Sequence, residues 1–234
     1  MSPDALATTD PRAGSTSLCA KLTNVLVSPG DVLDEVVDAP PRLSNWLVPT
    51  LLVWLTGTLL LDVATNSGQT SSGVGSLVDV GMASAAQTQR LSGGRQLVFP
   101  LAAGLSVVVG TFWAALVLWF IGRVFLKTRF AFVKALEVVG LAGMILALGS
   151  LVTALLILAS GNPSARPALS LLVLQADPSH RFRALLEMLN FFHLWSTTVL
   201  AVGLSRLSGV SLGESSFWVF GYWGLARIGL ILLA

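Results

Sequence analysis

The chain alternates between long apolar stretches and short polar segments. Five of the stretches have about the 20 residues that a helix needs to cross a bilayer. We predict these spans at residues 46–64, 99–125, 135–160, 185–204 and 217–234. The pattern therefore predicts an all-α fold, namely a polytopic membrane bundle of five spans.

Polar residues before the first span predict two further features. Residues 1–27 are rich in Ser, Thr, Asp, Pro and Ala, which predicts a flexible tail ahead of one membrane domain at residues 28–234. Ser28 and Pro29 suit the start of a helix. In this helix the apolar side chains share one face, so we predict a short N-terminal amphipathic helix. The apolar residues are Val32, Leu33, Val36 and Val37.

Composition agrees with a membrane location and excludes several classes of protein. Hydrophobic residues make up 54% of the 234 residues and charged residues only 11%, against roughly 25% charged in an average soluble domain. A disordered chain, a nucleic-acid binder and an ordinary soluble enzyme are therefore excluded. The single cysteine, Cys19, excludes an intrachain disulfide. The N-terminus lacks the basic start and apolar stretch of a signal peptide.

Lys and Arg near the spans predict the orientation. Eight of them fall on the side of the N-terminus and five on the opposite side. Because cytoplasmic loops carry the excess of positive charge, we predict a cytoplasmic N-terminus and an external C-terminus. The densest group is the basic loop, residues 123–134, between spans two and three.

Small residues form a stripe along span three. They recur at spacings of three and four, which places them on one helical face that a second helix can approach closely. Static packing is the favoured interpretation, and sliding along the seam is the alternative. The residues are Gly140, Gly143, Ala147, Ser150 and Ala154.

Motifs for catalysis and metal binding are weak. Residues 209–213 match the Gly-x-Ser-x-Gly pattern of a nucleophile elbow, but both flanks are membrane helices rather than a strand and a helix. His193 begins span four and Ser211 follows its other end, so the helix to Leu204 alone separates them by roughly 17 Å, which is too far for a hydrogen bond. His180 and His193 have no partners at zinc-ligand spacing. We predict no catalytic residue, no cofactor, no metal and no enzymatic activity.

Ionisable and polar residues within the spans are the better candidates. Charge in a membrane is costly and usually faces the bundle interior. We hypothesise that Arg227 pairs with Glu187 or Asp62, either as a structural pair or along a transport path. Asn190 and His193 lie on the same side of span four as Glu187, and they line a polar cavity or make interhelical hydrogen bonds.

Two groups of opposite charge share the cytoplasmic side. We hypothesise that the acidic residues of the amphipathic helix dock on the basic loop. The alternatives are an exposed surface for a partner and a solvated face. The acidic residues are Asp31, Asp34, Glu35 and Asp38, and the basic residues are Arg123, Lys127, Arg129 and Lys134.

Three blocks of the chain resemble the YIP family, the Ypt/Rab-interacting membrane proteins. The first runs from Ser28-Pro29 through the acidic helix to Pro40-Pro41 and Trp46-Leu47-Val48-Pro49. The second is the stretch from Phe130 to Gly140, which contains Lys134 and Glu137. The third is Leu189-Asn190-Phe191-Phe192-His193-Leu194-Trp195, running on to Gly203.

The resemblance implies a non-enzymatic, five-span helical domain with a cytosolic N-terminus. Eukaryotic members bind small Rab-type GTPases, but this chain lacks their Asp-Leu-Tyr-Gly-Pro motif, so it is more similar to the prokaryotic branch. Binding of a small GTPase follows by family analogy only. We expect a scaffold or complex subunit of the bacterial inner membrane, in contact with lipids and other membrane proteins. The alternative is a small-solute transporter or an accessory subunit of one.

Overall fold

The computed structural model describes residues 17–66, 98–162, 165–169, 186–187 and 189–233. This part of the chain holds seven α-helices and a single isolated bridge between Ala168 and Asn190. The helices are α1 (Leu18–Asn24), α2 (Pro29–Asp38), α3 (Ser44–Asn66), α4 (Val98–Phe120), α5 (Phe132–Ser160), α6 (Phe191–Ser208) and α7 (Leu212–Leu233). A π-helical turn, Ile121–Phe125, continues α4.

Three helices in the described residues are long and apolar enough to cross a membrane. Their apolar stretches are Ser44–Ala64, Pro100–Phe125 and Phe132–Ser160, which coincide with predicted spans one to three. The predicted spans four and five correspond to α6 and α7. These two helices contain more polar residues, among them Arg206 and Arg227.

Several predicted boundaries differ from the observed ones. The predicted flexible tail ends in a helix, because Ser17 Oγ accepts a hydrogen bond from Ala20 N and caps α1. Span four was predicted to begin at residue 185, whereas α6 begins at Phe191 with Asn190 as its N-cap. The last helix begins five residues before the predicted residue 217, at Leu212. Residues 67–97, which separate the first two predicted spans, lie outside the described residues.

Helices α3 and α5 run parallel and form the centre of the bundle. Gly140 permits the closest approach at one end, where an added Cβ would lie 2.4 Å from Trp46 Cα. At the other end, Leu60 and Ala64 pack with Ala154. Because the contacts advance in the same direction along both helices, the chain has to run back from the end of α3 to the start of α5. Helix α4 runs in this opposite direction.

Helices α4 and α6 run antiparallel to α5 and pack against it. Trp54 of α3 donates its indole N–H to Pro100 O at 2.9 Å, which fixes the start of α4. On α6, Phe192 packs at Gly149 and Gly203 packs at Val138. Helix α6 therefore begins beside the middle of α5. At the usual helical rise, this point lies roughly 16 Å from the C-terminal end of α5.

Candidate functional site

The first candidate site lies where α2, α3 and α5 meet, around the fully buried side chain of Glu137. One carboxylate oxygen, Oε1, accepts hydrogen bonds from Arg42 N at 2.7 Å and from Asn45 Nδ2 at 2.8 Å. The other, Oε2, lies 3.1 Å from Lys134 Nζ, one helical turn earlier. A buried carboxylate needs such partners, because desolvation otherwise disfavours its charge. Glu137 thereby ties the start of α3 to α5.

Lys134 joins the same site to the end of α2. Its ammonium group donates to Val36 O at 2.5 Å and to Ala39 O. The last carbonyls of a helix lack partners within the helix and carry the negative end of its dipole. A lysine at this position therefore stabilises the C-terminus of α2 while its positive charge balances the negative charge of Glu137.

Two further ion pairs hold α2 from its other sides. Lys21 of α1 is buried and lies 3.1 Å from Glu35 Oε1. Arg206, in the last turn of α6, places Nε 3.2 Å from Asp34 Oδ1, and both side chains are about half exposed. We call the residues that make these contacts the N-terminal clasp. They are Lys21, Asp34, Glu35, Lys134, Glu137 and Arg206.

Helix α2 buries its apolar face and turns part of its acidic face outward. Val32, Leu33 and Val36 are buried in the core that α5 and α6 share. Burial of each such side chain contributes about 1.5–3 kcal/mol relative to exposure in water. Asp31 and Asp38 are exposed, and no described hydrogen bond or ion pair engages their carboxylates. These two residues form what we call the acidic edge.

The basic loop stands apart from the acidic residues of α2. Arg123 lies over the ring of Trp119, with Cζ 5.4 Å from the ring centroid. Lys127 adopts a left-handed backbone conformation with φ of 54°. Arg129 is exposed, as are the other two. Among the described residues, no polar contact joins these three side chains to α2, whereas Lys134 contacts its carbonyl groups.

A small polar cleft separates the middle of α5 from the start of α6. The space between its lining residues, with open solvent counted, amounts to about 250 Å³. Asn190 Oδ1 caps α6 by accepting from Phe192 N at 2.9 Å, and Phe191 N donates to Pro167 O. The lining residues are Leu146, Gly149, Ser150, Thr153, Asn190, Phe192 and His193. The structure thus brings Asn190 and His193 together.

The other predicted intramembrane residues lie on different helices. Asp62 is exposed near the end of α3, and Glu187 is half-buried just before α6. Arg227 of α7 places its guanidinium 5.7 Å from the centroid of the Trp223 ring. Helix α7 packs chiefly against α6, whereas α3 packs against α5 and α4.

The stripe of small residues on α5 lies mostly against α3. Gly140 meets the Trp46 backbone, and a Cβ at Gly143 would lie 3.4 Å from Val53. Ala147 packs in a cluster with Val53, and Ala154 packs with Leu60. Ser150, the fifth member of the stripe, lines the polar cleft instead.

The family model for the Yip1 domain matches residues 23–234. The chain belongs to the Yip1 family. No curated protein and no solved structure matches it. The Yip1 match begins within α1, so it includes the acidic helix and every residue of the N-terminal clasp except Lys21.

Membership of the Yip1 family fits the apolar helices, because this is a family of non-enzymatic integral membrane proteins.

The Gly-x-Ser-x-Gly match forms a turn. Gly209 ends α6 with φ of 69°, and Ser211 Oγ accepts from Glu214 N at 3.2 Å, at the start of α7. Among the described residues, no group of three or more His, Cys, Asp or Glu side chains could hold a metal ion.

Glu137 was not among the site residues predicted from the sequence of this Yip1 chain. Its position in the sequence could have identified it, because an ionisable residue inside an apolar span usually has a buried partner. Lys134 stands three residues earlier, at the spacing of an ion pair on one helix. Lys21 was likewise missed, since its burial and its ion pair with Glu35 depend on the packing of α1 in the folded chain.

Proposed function

We propose that this Yip1 protein is a non-enzymatic membrane scaffold or complex subunit, which binds other membrane or peripheral proteins through the acidic edge of α2. The observation that carries the proposal is the docked state of α2. Its apolar face is buried in its own chain, so α2 presents acids rather than an apolar surface for insertion into lipid. The favoured partner therefore carries a basic surface.

The proposal includes five spans, with α6 and α7 completing the bundle. At 1.5 Å per residue, 18 residues of α6 extend about 27 Å and 22 residues of α7 about 33 Å, close to the bilayer core of about 30 Å. The excess of Lys and Arg on the side of α1 and α2 favours a cytoplasmic N-terminus. A bacterial inner membrane is the proposed location, and small GTPases remain partners by family analogy only.

The experiment compares crosslinking from two positions. A photoreactive amino acid that replaces Asp31 on the acidic edge should crosslink a discrete partner in native membranes. The control carries the same photoreactive amino acid in place of Asp62, near the C-terminal end of α3. The partner should co-purify in mild detergent and be lost from the Asp31→Lys/Asp38→Lys variant. Equal co-purification with that variant, in a protein that still folds, would refute the acidic edge as the binding surface.

The second candidate function is transport of a small solute, favoured by the polar cleft at the start of α6. Asn190, His193 and Ser150 line it at a depth that α5 places within the apolar region. Purified protein in liposomes should then move protons or a solute across the bilayer. Proton movement is measured first, as a change in the fluorescence of a pH-sensitive dye inside the liposomes. His193→Gln and Asn190→Ala should reduce the flux. Absence of flux in the wild-type protein would argue against this function.

A further inference from the structure

The basic loop is closed into a tight structure by its own backbone. Thr128 donates both N–H and Oγ1–H to Gly122 O, at 2.9 and 3.0 Å. Leu126 N donates to Ile121 O, and the Phe130 ring covers Gly122. These contacts bring residues 127–129 next to residues 122–123. Three cationic residues therefore emerge from one short, ordered segment.

Three of the four cations of this loop lack a counter-charge among the described residues, whereas the fourth, Lys134, pairs with Glu137. Arg123, Lys127 and Arg129 are exposed and make no described ion pair. Two of the acidic residues of α2 bind other cations, since Glu35 pairs with Lys21 and Asp34 with Arg206. The exposed carboxylates of Asp31 and Asp38 make no described ion pair with the loop. Like charges held close together repel each other, so an anion bound among them is stabilised.

Apolar side chains surround the cations on the outer surface of the bundle. Only 22% of the α4 span is buried within the protein, so most of this helix faces outward. Phe125 stacks on Trp218 of α7, with ring centroids 4.1 Å apart. The exposed apolar residues nearby are Phe120, Val124, Phe125 and Phe217. Aromatic residues at the end of an apolar span mark the level of the lipid headgroups.

We propose that the basic loop is a binding site for the phosphate headgroup of an anionic phospholipid, in the leaflet on the side of α1 and α2. The cations face the headgroup, and the apolar surface below Phe125 contacts the acyl chains. A soluble phosphate compound would use only the cations and leave the aromatic surface uncovered. An acidic protein partner would likewise have to compete with lipid for that surface. The combination of charge and apolar surface therefore favours a lipid.

The experiment measures lipid binding to the full chain by native mass spectrometry in detergent. Phosphatidylglycerol and phosphatidylcholine with the same acyl chains are titrated separately. A Lys or Arg at an anionic surface contributes about 1 kcal/mol, or roughly fivefold in affinity. The R123Q/K127Q/R129Q variant should therefore lose at least about tenfold in affinity for phosphatidylglycerol. Its affinity for phosphatidylcholine should be unchanged.

The matched control is R12Q/R90Q/R95Q, which removes three positive charges at positions outside the described residues. It likewise lowers the formal net charge from +2 to −1. It should retain the preference for phosphatidylglycerol. An equal loss in both variants would overturn the proposal, because net charge would then explain the binding. Displacement by soluble glycerol phosphate, or binding of a polyglutamate peptide with no lipid preference, would also overturn it. Thermal unfolding in phosphatidylcholine micelles verifies that both variants fold.

Discussion

Replacement of Glu137 by Gln tests whether the buried carboxylate holds α3 and α2 on α5. The substitution keeps the size of the side chain and an oxygen that can accept from Arg42 N and Asn45 Nδ2. It removes the negative charge 3.1 Å from Lys134 Nζ and points an amide N–H₂ or a neutral oxygen there instead. Lys134 would keep only the α2 carbonyl oxygens as partners.

The expected loss follows from the burial of the pair. Glu137 is fully buried and Lys134 is 11% exposed. Removing one partner of a buried ion pair costs about 3–5 kcal/mol in the free energy of unfolding, because the other charge remains desolvated. We expect about 3 kcal/mol, at the low end, since Lys134 retains Val36 O and Ala39 O.

The assay is equilibrium unfolding of purified protein by sodium dodecyl sulfate in mixed micelles, followed by tryptophan fluorescence and circular dichroism. Asp31→Asn is the matched control, because it also removes one carboxylate charge but from an exposed side chain. It should change the free energy of unfolding by less than about 0.5 kcal/mol. Lys134→Met and the double variant complete a thermodynamic cycle with Glu137→Gln.

A coupling energy of at least about 1 kcal/mol is expected between Lys134 and Glu137, because residues in direct contact depart from additivity. Additive effects would refute the reasoning that the two charges depend on each other. A loss below about 0.5 kcal/mol in Glu137→Gln would refute the larger inference that the carboxylate secures α3.

Three further substitutions test neighbouring features by the same unfolding assay. Gly140→Ala should destabilise the protein by about 1–3 kcal/mol through a clash with the α3 backbone, whereas Gly143→Ala should be tolerated; equal effects would contradict the observed close approach. Asn190→Ala should cost about 0.5–2 kcal/mol by removing the α6 cap, and no loss would contradict it. Asp34→Arg should cost up to about 1 kcal/mol, restored by Arg206→Asp in the same chain; failure of rescue would contradict that pair.

The central spans could be predicted from the sequence because apolarity and length alone determine them. A helix in lipid satisfies its own backbone, so a long apolar stretch has few alternatives. The start of α6 could not be predicted in this way. Leu185, Leu186, Met188 and Leu189 extend the apolar stretch upstream of Phe191. In the structure, however, Asn190 caps the helix and Phe191 N donates to Pro167 O. A contact with a distant segment, rather than local hydropathy, sets this boundary.

The N-terminal clasp was predictable only in part. Lys134 was one of four hypothesised partners of α2, but as a partner of its carboxylates. In the structure Lys134 binds carbonyl oxygens at the C-terminus of α2, while Asp34 reaches Arg206. Charge patterns identify which residues need partners, but complementary charges on one side of a membrane permit several pairings. Packing of the α2 apolar face selects among them, because it fixes the rotation of the helix.

The separation of charge on the N-terminal side connects the two proposals. An anionic membrane attracts the three cations of the basic loop and repels Asp31 and Asp38 on the acidic edge. Burial of the α2 apolar face removes its means of entering the lipid, so its acids can be directed away from the bilayer. If the basic loop holds lipid while the acidic edge faces the aqueous phase, the same bundle can bind the membrane and a basic partner simultaneously. Loss of lipid preference and loss of partner binding should therefore occur in different variants.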